Sequence, residues 1–146
     1  MINEDVTPPL PFGDEEQYLK ILMKHFHSRI KDAFNFALDN RVLLLKASNN
    51  VSVDIALASF PFEIEMIKKR SFFLYQPNCH LMTCSAEDLI ILKAFANRSK
   101  DWSDIESVID KQGKKLDTKY INKLLLPLCE LKEEPEIMDR LNNLFD

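Results

Sequence analysis

The periodicity of the chain changes at Ser85, and that change constrains the fold more than any bulk property does. Upstream, Val51 to Leu57 alternates, placing Val51, Val53, Ile55 and Leu57 on one face and Ser52, Asp54 and Ala56 on the other, the period of a strand. Downstream, apolar residues recur at helical spacing almost to the end of the chain. The expected class is therefore α+β: a small mixed or antiparallel sheet with flanking helices over residues 1–84, then a helical bundle over residues 85–146.

Local signals fill in this outline. Pro8, Pro9 and Pro11 exclude a regular helix at the start and leave an extended segment running into a turn at Gly13. Asp14 is suited to cap a helix over residues 14–27, whose stripe is Tyr18, Leu19, Leu22, Met23 and Phe26. A shorter helix is expected over 28–38, with Ile30, Phe34 and Ala37, and a strand over 42–47. Ser48, Asn49 and Asn50 supply turn chemistry that joins this strand to the Asp54 strand as an antiparallel hairpin. A helix after Pro61 and a second strand pair, 72–76 with 80–84 around Pro77 and Asn78, complete the first part. Ser85 and Asp88 resemble a capping box with the shorter acid, opening a helix to about Asn97. Further helices are expected over 102–112, 117–131 and 135–145, with Pro127 a kink or break in the third.

Composition narrows the function. The chain has 146 residues, enough for one domain with its own core, and a net charge of −4 that argues against neutralising a phosphate backbone as its main task. Gly13 and Gly113 are the two glycines, too far apart for a Rossmann or P-loop phosphate turn. Three cysteines without CxxC spacing, no apolar leader and no run long enough for a membrane span point to a reduced, cytoplasmic location. Cys84 reads either as a nucleophile or as a small buried hydrophobe, and the three histidines show no metal-ligand spacing.

Two residues stand out against their surroundings. Asp54 is a carboxylate in mid-strand, costly to bury without a partner, so it is either solvated, paired with a Lys or Arg, or a metal ligand. Lys93 lies in a helix apolar nearly all round, with Asn97 on its side of the helix and Arg98, Lys100, Asp101 and Asp104 just beyond. It reads either as a cation directed into a polar cavity or as one member of a salt bridge, with Arg98, to Asp101 or Asp104 that fixes a helix corner.

The run Thr83-Cys-Ser-Ala-Glu-Asp-Leu-Ile-Ile-Leu-Lys-Ala-Phe-Ala-Asn-Arg-Ser-Lys-Asp-Trp-Ser-Asp104 resembles the EDLxxxKxxAxRxKDxxD segment of a bacterial nucleotidyltransferase family. That family is related to AbiEii-type toxins of toxin-antitoxin systems and, more distantly, to kanamycin nucleotidyltransferase and the polymerase-β-like superfamily. The similarity extends in order through Phe36 to Leu45, Val53 to Leu57 and Pro61 to Glu63. It implies Mg²⁺ between carboxylates of neighbouring strands, clamping the phosphates of an NTP while a nucleotidyl group passes to a hydroxyl. Asp54 matches the third carboxylate and Asp5 the second acid of a DxD pair, whose first acid falls on Asn3. Lys93 matches a lysine expected at the triphosphate, with Asn97, Arg98, Asp101 and Asp104 in the nucleotide-binding or bracing motif.

The amino-terminal strand, helix and glycine turn that the family carries find no match ahead of Asn3. A neutral Asn3 and this shortened start imply weak or absent transfer, with nucleic acid entering only as an acceptor. The alternative expectation is a catalytically silent interaction module, a homodimer formed through an uncovered sheet edge near Ile2, Val6, Leu10 and Phe12.

Overall fold

The computed structural model describes residues 3–8, 10, 13–58 and 60–145, the side chains of Asn3 and Glu4 excepted. The chain forms two compact units, Met1–Lys68 and Lys69–Asp146. This division places the second hairpin with the helices, whereas the change of periodicity suggested a junction near Ser85.

In the first unit, β1 (Asn3–Val6), β2 (His27–Ser28), β3 (Val42–Lys46) and β4 (Ser52–Ala56) make one sheet in the order β1-β4-β3-β2. The expected hairpin is present: β3 and β4 pair antiparallel, with Leu43 opposite Ile55 and Leu45 opposite Val53. Asn50 closes the turn at φ 66°, a left-handed conformation that asparagine tolerates. The edge strand β1 runs parallel to β4.

Helices α1 (Glu15–His25) and α2 (Ala33–Asn40) cover the sheet face that carries Leu43, Leu45 and Ile55. Leu19, Ala33, Ala37, Leu43, Leu45, Ile55 and Leu57 form its core, with Leu10, Tyr18, Leu22 and Met23 packed around it. Each fully buried leucine here contributes about 1.5–3 kcal/mol of transfer free energy. Phe26, expected on the buried stripe, is the C-cap of α1 and is exposed. The helix expected to begin at Ser28 begins at Ala33, because His27 and Ser28 are drawn into the sheet against Lys46 and Leu45.

Arg41 ties this unit together. It terminates α2 at φ 55°, and its guanidinium donates to the carbonyls of Leu57 (3.1 Å) and Ala58 (3.0 Å) and to Glu15 (3.3 Å). Glu15 also accepts the Gly13 amide at 2.8 Å, at a turn where Gly13 takes φ 96°. Bonds from its own amide lead the causes that hold the Glu15 carboxyl below its ordinary range; burial opposes them, and Gly13 and Arg41 reinforce them. A short helix α3 (Pro61–Lys68) follows β4, as expected, with Met66 and Ile67 buried.

The second unit opens with the expected hairpin, β5 (Ser71–Gln76) and β6 (Cys79–Thr83), which turns at Asn78 with φ 66°. Four α-helices follow: α4 (Ala86–Ala96), α5 (Ser99–Gln112), α6 (Thr118–Lys132) and α7 (Glu136–Phe145). Helix α4 contacts α5, α6 and α7, which explains why it is apolar on nearly every side. Pro127 does not end α6, which is continuous from Thr118 to Lys132.

Ser85 caps α4 as expected, accepting the Asp88 amide at 3.0 Å and donating its hydroxyl to the Asp88 carboxylate at 2.9 Å. The other oxygen of this buried carboxylate accepts the Tyr120 hydroxyl at 2.8 Å, a tie from α6 that local sequence does not reveal. No helix among the described residues is long and apolar enough to cross a membrane.

Candidate functional site

Asp54 occupies the middle of β4, between two strands that fix what stands beside it. Its partner on β1 is Asp5, level with it in the parallel ladder, and its partner on β3 is Leu44. Neighbouring strands lie about 4.8 Å apart, and residues level with one another project to the same face. The parallel register therefore brings two carboxylates side by side.

Arg29 completes this row from the far side of the sheet. Its amide donates to the Leu44 carbonyl at 2.9 Å, one step beyond the β2–β3 pairing of Ser28 with Leu45, and its guanidinium donates to Asp54 Oδ1. Arg29, just past the end of β2, thus lines up with Leu44, Asp54 and Asp5 in one row across the sheet, on the face opposite Leu43 and Leu45. The Arg29 and Asp54 side chains are 28% and 25% exposed, within reach of solvent. Two level carboxylates repel each other, and Arg29 places one cation beside them.

The oxygen ligands in this row are of the kind that a hard divalent cation takes. Carboxylate oxygens are the ligands Mg²⁺ prefers, and it is commonly held by one or two of them, with water and phosphate oxygens completing the shell. Among the described residues, no group of three or more His, Cys, Asp or Glu side chains gathers to hold a metal ion. The Asn3 side chain, aligned with the remaining acid of the DxD pattern, lies outside the described residues. Asn3 itself is level with Ser52 in the β1–β4 ladder.

The other expected site residues meet at the corner between α4 and α5. Lys93 Nζ donates to Asp104 at 2.5 Å and lies 3.7 Å from Asp101. Arg98 grips Asp101 with two bonds, Nε at 2.6 Å and Nη2 at 3.0 Å. The Asp101 side chain is fully buried. Burial alone would raise its pKa, but the bonds and charge of Arg98, with the charge of Lys93, hold it below the ordinary carboxylate range.

Asn97 ends α4 at φ 54°, and both ends of its amide are engaged. Nδ2 donates to Glu134 at 2.9 Å, and Oδ1 accepts from Trp102 Nε1 at 2.9 Å. Glu134 is held below its usual range first by the bond from Lys132 and then by that from Asn97. The geometry at this corner is that of the salt-bridged turn, the structural reading of these charges. Asp5 and Asp54 belong to the first unit, and Lys93, Asn97, Arg98, Asp101 and Asp104 to the second.

Cys84 does not have the environment of a nucleophile. Burial, then the nearby Asp88 charge, pushes its thiol up from the ordinary value and disfavours the thiolate. Arg29 is the site residue that sequence reasoning missed. Its signal was available in part, since a mid-strand Asp calls for a cation, but Arg29 is 25 positions away. No family model matches this sequence, and no curated protein matches it.

Proposed function

We propose that the first unit is a nucleotidyltransferase-like site that binds a divalent cation, Mg²⁺, and with it the phosphates of an NTP. The observation that carries this reading is the parallel register that sets Asp5 level with Asp54. The sequence resemblance implies three carboxylates, a DxD pair on one strand and a third on its neighbour; Asp5 and Asp54 match two of them, and Asn3 stands in the place of the other. When bound, Mg²⁺ supplies charge neutralisation to the phosphates and lowers the pKa of an attacking hydroxyl. Asp5 and Asp54 hold and orient it.

In the transfer implied, the acceptor hydroxyl oxygen forms a bond to the α-phosphorus, the bond to pyrophosphate breaks, and the hydroxyl proton leaves to a base or to solvent. Turnover is expected to be slow. Asn3 offers no negative charge where the pattern calls for an acid, and Arg29 is already paired with Asp54. The test is incubation with α-labelled NTPs and Mg²⁺, with RNA or the protein itself as acceptor, beside Asp54→Ala. Label transfer that disappears in the variant supports the reading; transfer unchanged by it contradicts the reading.

A second reading, a silent interaction module that forms a homodimer, is favoured by a different observation. β1 lies at one edge of the sheet and its Val6 side chain is 45% exposed, a surface able to pair with another copy. Ile2 and Phe12, also expected on that edge, lie outside the described residues. Light scattering at low concentration separates the two: a dimer lost with Val6→Lys supports the module, and a monomer removes it.

A further inference from the structure

We infer that Arg29 is the phosphate-contacting residue of this site, held by Asp54 until a divalent cation takes the carboxylate. This inference rests on the nucleotide-binding reading given above. It begins from a conflict in charge: the Asp54 carboxylate that would hold a metal ion already receives the Arg29 guanidinium, at Oδ1. A guanidinium and a divalent cation compete for that carboxylate, so each weakens the other's hold on it.

The fate of a displaced Arg29 depends on where it is anchored. Its backbone is fixed in the sheet through the Leu44 carbonyl, and the Leu44 row places it on the same face as both acids. Freed from Asp54, the side chain is still tethered within reach of the cation site. Its planar fork of five donors matches phosphate oxygens better than a lysine ammonium does. Its 28% exposure leaves a route for a ligand from solvent. A metal-bound triphosphate brings both the cation for Asp54 and the anion for Arg29, so the ion pair is exchanged for two new contacts in one event. A bare metal ion brings only the first.

The two ligands should therefore respond in opposite directions to removal of the guanidinium. Titrations of the whole chain with Mn²⁺ alone, with Mn²⁺–ATP and with Mn²⁺–tripolyphosphate, followed by calorimetry, read this directly. Arg29→Gln is expected to bind Mn²⁺ about 3- to 10-fold more tightly, because a competitor is gone, and both phosphate complexes about 10-fold more weakly. Arg29→Lys should restore Mn²⁺ affinity toward wild type and recover the phosphate complexes only in part.

A merely structural Arg29 would move all three affinities the same way, or none, and either outcome overturns the inference. Weakening for ATP but not for tripolyphosphate would also overturn it, since the contact would then be to the nucleoside. Mn²⁺ binding that is missing from the wild-type chain, or indifferent to Asp54→Asn, removes the underlying reading. Circular dichroism of each variant guards against misfolding, and Arg29→Lys supplies the arm least prone to it.

Discussion

Asp5 and Asp54 are level partners across the parallel β1–β4 pair, and Arg29 donates to the second of them from the other end of the same row. Opposed carboxylates one strand spacing apart are unfavourable unless a cation is shared near them. That is the physical reason for seeking a ligand at this row before any other place in the first unit.

The first prediction concerns the core beneath it. Leu45 is fully buried and faces α1 and α2, so Leu45→Ala should destabilise the first unit by about 2–5 kcal/mol. Leu44→Ala, on the other face and only partly buried, should cost less than half as much. Urea denaturation of the two variants checks the ranking, and equal losses would contradict the assignment of faces.

The second is a pH dependence. Asp101 has a folded pKa below the ordinary value of about 3.9, so its pair with Arg98 stabilises the fold above that pH. The contribution falls away as the pH drops through the lower, folded value. Asp101→Asn should therefore cost roughly 1.5–3 kcal/mol at pH 7. The gap between variant and wild type should narrow below about pH 4. Thermal melts across that range measure it.

A third prediction separates backbone from side chain at the corner. Asn97 combines a left-handed φ of 54° with two side-chain bonds. Asn97→Gly keeps the conformation and loses the bonds, whereas Asn97→Ala loses both. The alanine variant should be less stable than the glycine variant by roughly 1 kcal/mol. Both should alter Trp102 fluorescence, because its indole N–H loses its acceptor.

The fourth concerns the β5–β6 hairpin, where Phe72, Phe73, Leu74, Tyr75 and Met82 are each at least 58% exposed. Side chains already in water contribute little to folding, so Phe72→Ser with Leu74→Ser should change stability by about 0.5 kcal/mol or less per site. Binding of a hydrophobic dye should fall sharply in the same variant. Retained dye binding would mean that the apolar surface lies elsewhere.

Much of the fold was legible where local chemistry decides structure. The alternation from Val51 to Leu57 and the Asn-rich turn gave the central hairpin, and Ser85 with Asp88 gave the start of α4. Legibility ended where partners are distant. His27 and Ser28 left a helical pattern because β3 offered them a ladder, an outcome that propensity does not contain. Tyr120 reaches Asp88 and Arg29 reaches Asp54 across 32 and 25 positions, with no spacing rule to announce either contact. Pro127 was readable as a break, yet helix packing kept α6 continuous.

The charges from Lys93 to Asp104 were legible as a cluster but open in meaning. The corner geometry gives Lys93, Arg98, Asp101 and Asp104 structural partners. The alignment of Asp5 with Asp54 came from resemblance alone, since nothing local in β1 specifies which residue it will face.

The most direct measurement of the central claim is Mn²⁺ binding followed by electron paramagnetic resonance in the wild-type chain, Asp5→Asn, Asp54→Asn and the double variant. One ion per chain is expected, with each single substitution removing most of the affinity and the double variant little worse than either. Independent, additive effects of the two acids, or binding untouched by both, would contradict a shared site at this row.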